Sequence, residues 1–340
     1  MDFWVVTLLG GVSYGLLLFM LSAGLTLTFG LMGVLNFAHA SFYMLGAYVA
    51  CQLTQRVGFW PALLLAPLAV GVLGARFEHF VLRRIRARSG AGAHLPELLA
   101  TFGLAYVLLE AVQLAWGRGP LDFQPPPALQ GAAFTLLRDA AGSVHFIWGD
   151  APAGVCAAAA ACTPLPATRA FIALLALLML VLLALLSRTR TGAVIRAALS
   201  EPQMVQALGH RLPLVQTLVF GAGAALAALA GVAGGSAFVT EPQMAESVAT
   251  LLFVVVVLGG AGSVAGAFAA SMLIGVLQTA AVAAHVSVLD ALRALHLDSF
   301  VAAGAPWLHW SSAQLAPLLP FALLALALTL RPQALMGRRC

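Results

Sequence analysis

The sequence contains no lysine; all seventeen basic residues are arginine. That absence removes the phosphate-binding lysine of a P-loop and the amine of a Schiff-base enzyme, so the chain cannot hydrolyse ATP by the P-loop route itself. Charge of either sign is scarce. With 9% charged and 62% hydrophobic residues over 340 positions, the chain has too little polar material to cover a water-soluble domain, which carries about a quarter charged residues. The net charge of +5 does not point to nucleic acid, because the arginines sit in short clusters between apolar runs and no aromatic-interleaved basic face accompanies them. Four cysteines are too few and too scattered for a metal or disulfide framework. Cys156 and Cys162 fall in an alanine-rich stretch, where pairing and incidental occurrence are equally good readings. No H-E-x-x-H occurs, and His79, His94, His145, His210, His285, His296 and His309 lack metal-ligand spacing, so no metal is expected.

Long apolar runs are what the sequence does have. Stretches of roughly 20 residues recur along its whole length, the span an α-helix needs to cross a hydrocarbon core of about 30 Å. Crossings are expected near 5–29, 40–55, 59–76, 95–115, 169–187, 212–235, 247–258, 264–284 and 315–331. The fold class is therefore all-α: a polytopic bundle of about 8–10 transmembrane helices, forming a single domain over 1–340 with lipid around it. No basic residue precedes Arg56, so the first apolar run is expected to remain as a span.

Arginine is unevenly shared among the connections. Arg76, Arg83, Arg84, Arg86 and Arg88 form one cluster, Arg188, Arg190, Arg196 and Arg211 a second, and Arg331, Arg338 and Arg339 a third. The positive-inside rule makes these cytoplasmic, which places the N-terminus outside and the C-terminus inside. The remaining connections mix arginine with Asp122, Asp139, Asp150, Glu241, Glu246, Asp290 and Asp298 and suit the outer side. Trp4, Trp60, Trp116, Trp307 and Trp310 fall near span ends and read as headgroup anchors. The outer loop 117–168, with Pro125, Pro126 and Pro127 and a run of small residues, reads as irregular. Leu289, Leu292, Leu295 and Leu297 suggest a short surface helix within 285–314.

Two places interrupt the helical pattern inside apolar sequence, near 30–39 and near 258–266. The first contains Asn36 and His39; the second contains Gly259, Gly260, Gly262 and Ser263. Irregular backbone at membrane depth needs protein or a water-filled cavity to satisfy its freed groups, and paired interruptions in two halves of a transporter point to a central pathway. The same residues also admit a plainer reading, with Asn36 and His39 bonding between helices and the glycines allowing close packing. Gly231 and Gly235 have GxxxG spacing and read as packing residues. Gly11, Ser13 and Gly15 match the G-x-S-x-G of hydrolases, but within a membrane span rather than a strand-to-helix turn.

Two other function classes remain alternatives to a transport subunit. A self-contained secondary transporter would draw on Glu110, deeper in its span than Glu97. An intramembrane hydrolase would pair Ser263 or Ser13 with His39. The segment 188–211 offers a different cue, since it is amphiphilic and too long for a plain turn, suiting either a compact surface for a partner protein or a solvated topology signal.

Several ordered motifs together resemble the permeases of branched-chain amino-acid ABC importers, a group that includes related urea and amide permeases. The resemblance covers almost the whole chain. It rests on Asn36 through His39 followed by Phe42 to Tyr48, on Leu99 to Gly103, on Arg190 through Gly209, on Leu258 through Gly266, and on Arg331 with Pro332. Such a resemblance implies a translocation subunit, not an enzyme, in a bacterial plasma (inner) membrane. Its implied partners are a second permease, making a homodimer or heterodimer, two cytoplasmic ATPase subunits that carry the ATP, and an external solute-binding protein. No cofactor is implied in this chain. The segment 188–211 is similar to the family's cytoplasmic loop that docks on the ATPase, which gives Gly192, Arg196, Ala197, Glu201 and Gly209 a coupling role by implication. Ala40, Val205 and His210 depart from the family's usual glycine, alanine and aliphatic residue at those places.

Overall fold

The computed structural model describes residues 2–89, 94–139, 143–159, 161–260, 262–284, 286–287, 289–290, 293 and 310–330. In chain order it contains α1 (Asp2–Met32), α2 (His39–Val57), α3 (Phe59–Phe77), a π-turn over Glu78–Leu82 that continues into α4 (Arg83–Ser89), and α5 (His94–Trp116). Then come β1 (Ala132–Arg138), β2 (Val144–Trp148), α6 (Ala153–Ala158), β3 (Ala161–Pro166), α7 (Ala167–Arg188), α8 (Arg190–Ser200), α9 (Pro202–Ala207), α10 (Leu212–Ala237), α11 (Met244–Gly259) and α12 (Val264–Ala284). A helical segment over Ser312–Thr329 closes the described chain. The surface-helix positions Leu292, Leu295 and Leu297, the anchor Trp307, the acid Asp298, the histidines His285, His296 and His309, and Arg331, Arg338 and Arg339 lie outside the described residues.

The architecture is a helical membrane bundle, and each of the nine expected crossings coincides with a helix. Seven helices among the described residues are long and apolar enough to cross a membrane. The other two abut the interruptions. α2 begins after the first and carries Gln52, Thr54, Gln55 and Arg56 in its second half; α11 stops at the second after 16 residues. At 1.5 Å per residue α11 reaches only about 24 Å, short of a hydrocarbon core.

Helices α1 and α10 form the centre, with 61% and 72% of their most apolar windows buried, against 17% for α5 and 11% for the closing helix. Lipid tails are as apolar as leucine, so these helices associate through close backbone packing rather than through exclusion of water. Their sequences provide for it. Gly231 on α10 lies against the Tyr43 carbonyl of α2, where a β-carbon would overlap the oxygen, and Gly46 meets the Ala228 backbone. On the other flank Gly11 and Gly15 of α1 meet the α12 backbone at Val276 and Ser271. The G-x-S-x-G match is thus one face of a helix crossing, with the Ser13 hydroxyl donating to the Leu9 carbonyl of its own helix at 2.9 Å. Larger side chains, including Phe19, Phe42, Tyr48 and Phe220, fill the space left between the crossings.

The outer loop is not irregular throughout: it folds into a three-stranded antiparallel sheet of order β2-β1-β3. Thr135 and Leu137 of β1 and Leu165 of β3 are buried, and Asp139 Oδ1 accepts the Ser143 N–H at 2.8 Å in the β1–β2 turn. Too few apolar residues are present for an independent core, and the sheet takes its burial from the bundle, with β1 and β3 resting on α7 and β3 reaching α1. Leu121 bridges to Thr240, and the buried Phe123 stacks at 6.2 Å from Phe59. A disulfide joins Cys156 of α6 to Cys162 of β3. At the opposite end of the bundle α8–α9 packs on the C-terminal turns of α1, and α4 lies against α5.

Candidate functional site

The first interruption begins where α1 ends. Gly33 takes φ +67, and residues 33–38 are non-helical until α2 starts at His39. Asn36 is the organising residue: its Oδ1 accepts the Ala38 N–H at 3.1 Å and its carbonyl accepts the His39 N–H at 3.2 Å. The Phe37 N–H donates to Thr101 Oγ1 of α5 at 3.3 Å. His39 Nε2 lies 2.9 Å from the Leu21 carbonyl of α1, an acceptor only, so this nitrogen carries the proton. That leaves two buried polar atoms with no partner among the described residues, Asn36 Nδ2 and His39 Nδ1. Both residues line a small pocket together with Leu25 of α1, Leu35, and Leu252 and Phe253 of α11. Two buried polar atoms without a partner in an apolar cleft are a costly arrangement.

The second interruption is held by local bonds among its described residues. Gly260 and Gly262 adopt φ +94 and +81, the Ser263 N–H donates to the Gly260 carbonyl at 3.1 Å, and Ser263 Oγ accepts the Gly266 N–H at 3.1 Å as the cap of α12. Gly259 and Gly266 press backbone to backbone, with no room for a β-carbon on either. Gly262 faces α1, where a β-carbon would lie 3.4 Å from Gly30 Cα. The structure therefore brings the second interruption against the last turn of α1, next to where the first begins.

The segment 188–211 folds as a helical hairpin. Thr189 caps α8 by accepting the Gly192 N–H at 3.1 Å, and Gly192 packs so tightly on the end of α7 that a β-carbon would overlap the Leu186 carbonyl. Arg196 donates to the Ser187 carbonyl. Gly209 closes α9 with φ +85; its N–H donates to Gln206 at 2.9 Å and the His210 N–H to Val205 at 3.2 Å, the paired bonds of a left-handed helix stop that favours glycine. The inner face, with Ala198 and Val205 buried, packs on Leu31 of α1 and Val219 of α10, and Ala197 flanks the same cluster. The outer face leaves Arg196, Glu201, Gln203, Met204 and Leu208 exposed, the last two at 62% and 77%. Two exposed apolar side chains one turn apart beside charged groups make a surface shaped for a partner.

One polar cluster escaped the reading of the sequence. Glu78, fully buried in the π-turn, pairs with Arg86, which also reaches Glu97 Oε1 at 3.4 Å, and the Thr217 hydroxyl of α10 donates to Glu78. Glu78 follows the expected span 59–76 and lies between Arg76 and Arg83, so it reads as one charge of a solvated connection. Only the π-turn reveals it: the Arg83 N–H bonds the Glu78 carbonyl, five residues back, and Glu78 faces inward.

The hydrolase alternative has no paired nucleophile and base among the described residues. Ser13 bonds Leu9, Ser263 caps α12, and the protonated nitrogen of His39 bonds Leu21. Glu110 is exposed on the little-buried α5 rather than facing the pocket. No group of three or more His, Cys, Asp or Glu among the described residues is arranged to hold a metal ion.

Known proteins share this layout in sequence. The chain is 27% identical over 279 residues to the high-affinity branched-chain amino acid transport system permease protein BraD of Pseudomonas aeruginosa, covering 80% of this chain and 84% of that protein. It is 26% identical over 360 residues to the corresponding permease LivH of Salmonella typhimurium, covering 99% and 96%, and 27% identical over 279 residues to a probable LivH permease of Methanocaldococcus jannaschii, covering 79% and 78%. No solved structure matches. The family model for the permease component of branched-chain amino acid transport systems matches residues 7–329, so this helical membrane protein belongs to that family.

Proposed function

We propose that the chain is the membrane-spanning permease of an ATP-driven importer for small polar solutes, with branched-chain or other amino acids as the cargo, working at the bacterial inner membrane. The observation that carries this reading is the α8–α9 hairpin, built on the ends of α1, α7 and α10 while presenting Arg196, Glu201, Met204 and Leu208 outward. Such a surface suits an ATPase on the cytoplasmic face, and a chain without lysine has need of one. Two ATPase subunits, a second copy or homologue of the permease, and an external solute-binding protein complete the assembly. Arg196 and Glu201 make its polar contacts, while Gly192, Ala197 and Gly209 keep the hairpin compact.

Solute passes beside Asn36 and His39, with Gly259, Gly260, Gly262 and Ser263 forming the opposing break. A lining without fixed charge suits a neutral amide or a zwitterion, which loses less on leaving water than an ion does. A branched aliphatic side chain finds Leu25, Leu252 and Phe253. Alternating exposure of the pocket to the two sides requires two states of the bundle whose balance the ATPase shifts.

Arg196→Glu tests the coupling role. The variant is expected to insert normally yet lose leucine uptake and co-purification with the ATPases; survival of both would reduce the hairpin to a topology signal. Orientation has its own test in a cysteine-free background. Cysteines at Ser89 and Ser200 should resist an impermeant external thiol reagent, one at Ser143 should react, and the opposite labelling would invert the topology.

A further inference from the structure

The polar cluster around Glu78 has no part in the pathway or the docking surface, yet it joins the elements that carry them. Charges withdrawn from water are costly unless held in good geometry, so a buried carboxylate bridged by an arginine to a second carboxylate asks for a reason. Thr217 lies on α10, the helix that leaves the α8–α9 hairpin with only residues 208–211 between. Its Oγ1 faces two acceptors, the Glu78 carboxylate and, at 2.9 Å, the Pro213 carbonyl of its own helix. A hydroxyl has one proton, so the two bonds compete, and a small rotation or slide of α10 decides between them.

What Glu78 does reaches the first break by short steps. Arg86 ties Glu78 to Glu97 in the first turn of α5, and one turn later Thr101 accepts the Phe37 N–H beside Asn36. Apart from this link α5 rests on α2, through buried Leu108 and Val112, the Ser41 hydroxyl on the Ala105 carbonyl and Trp116 on Gln52, and its buried share is among the smallest in the bundle. We propose that Glu78, Arg86 and Thr217 are positioning residues that transmit movement of the 188–211 hairpin, through α10 and α5, to the helix break at 33–38. This rests on the coupling and pathway roles proposed above. The physical requirement for such transmission is an element with two discrete arrangements, and the shared Thr217 proton supplies one.

The test is made on the complete transporter in proteoliposomes, with leucine as probe and with leucine uptake and ATP hydrolysis measured together. Thr217→Val removes the hydroxyl and keeps the shape; Thr217→Ser restores it. Arg86→Gln removes both ion pairs, and Arg86→Lys keeps a cation there. Thr217→Val and Arg86→Gln are expected to lower the leucine moved per ATP by at least about fivefold, the lower end of ordinary coupling between sites. ATPase association should persist, and Thr217→Ser and Arg86→Lys should recover much of the ratio. Uptake and hydrolysis falling together at an unchanged ratio would overturn the proposal and leave the cluster a static staple. Where Arg86→Gln fails to fold, the Thr217 pair decides alone. Arg196→Glu, run alongside, separates the two levels: if it abolishes uptake while Thr217→Val keeps a normal ratio, only this proposal falls, whereas normal uptake in Arg196→Glu overturns the coupling role beneath it.

Discussion

The two helix breaks share little sequence beyond glycine and a polar residue set in apolar stretches, and they differ in what they leave unspent. At the second break the Gly260 N–H bonds Val256 and the Ser263 N–H bonds Gly260, Ser263 caps the next helix, and Gly259 and Gly266 let two helices touch. At 33–38 the turn is also closed by hydrogen bonds, but Asn36 Nδ2 and His39 Nδ1 remain buried and unpartnered beside a pocket. A break that satisfies itself can serve chain reversal and packing. One that retains hydrogen-bonding capacity at a cost to stability suits the solute contact proposed above.

The comparison breaks first at its packed member. Gly259→Leu places a side chain where the backbone of Gly266 and Ala267 already sits. Neither backbone can yield without parting α11 from α12, so a destabilisation of more than about 3 kcal/mol is expected, above the usual range for overpacking. A near-wild-type yield of monodisperse protein in detergent would show that the crossing is looser than it looks.

Asn36→Leu should separate function from folding. The variant loses the bond to the Ala38 N–H, worth about 1 kcal/mol, and removes an unsatisfied buried amide that costs about as much or more. The thermal midpoint should stay close to that of the parent while leucine uptake falls at least about tenfold, equivalent to about 1.4 kcal/mol in the barrier. A matched fall in stability and uptake would return Asn36 to a structural role.

Much of this molecule was legible before its structure. Apolar run length located the helices because a bilayer of fixed thickness imposes that length, though α11, expected as a crossing, has only 16 residues. The sheet was not legible, since the burial of Thr135, Leu137 and Leu165 comes with packing of the strands on one another and on α7 and α1, which no local residue pattern conveys. Glu78 was hidden by its arginine neighbours and by a π-turn that no local residue pattern announces. Gly192 was noticed for the segment it sits in, yet the Leu186 carbonyl gives it a packing reason that composition cannot convey. Of the expected anchors, Trp116 bonds Gln52 at 3.2 Å and packs on Tyr48, while Trp4 and Trp60 are exposed.

The mildest perturbation sharpens the comparison most, because it touches the one polar side chain of the second break. Ser263 Oγ accepts the Gly266 N–H at 3.1 Å and so caps α12. Replacing a helix cap of this kind by alanine typically costs about 1 kcal/mol. Ser263→Ala should therefore lower the thermal midpoint by a few degrees, as about 1 kcal/mol does in a chain of this size. If the unspent groups of the first break are the ones that meet solute, its loss of leucine uptake will be smaller than that of Asn36→Leu, although its loss of stability is larger. Measuring uptake and midpoint side by side for the two variants gives a crossed pattern that general damage cannot produce. Equal or greater loss of uptake in Ser263→Ala would put the solute at the second break as well, and the contrast between a packing break and a working break would no longer hold.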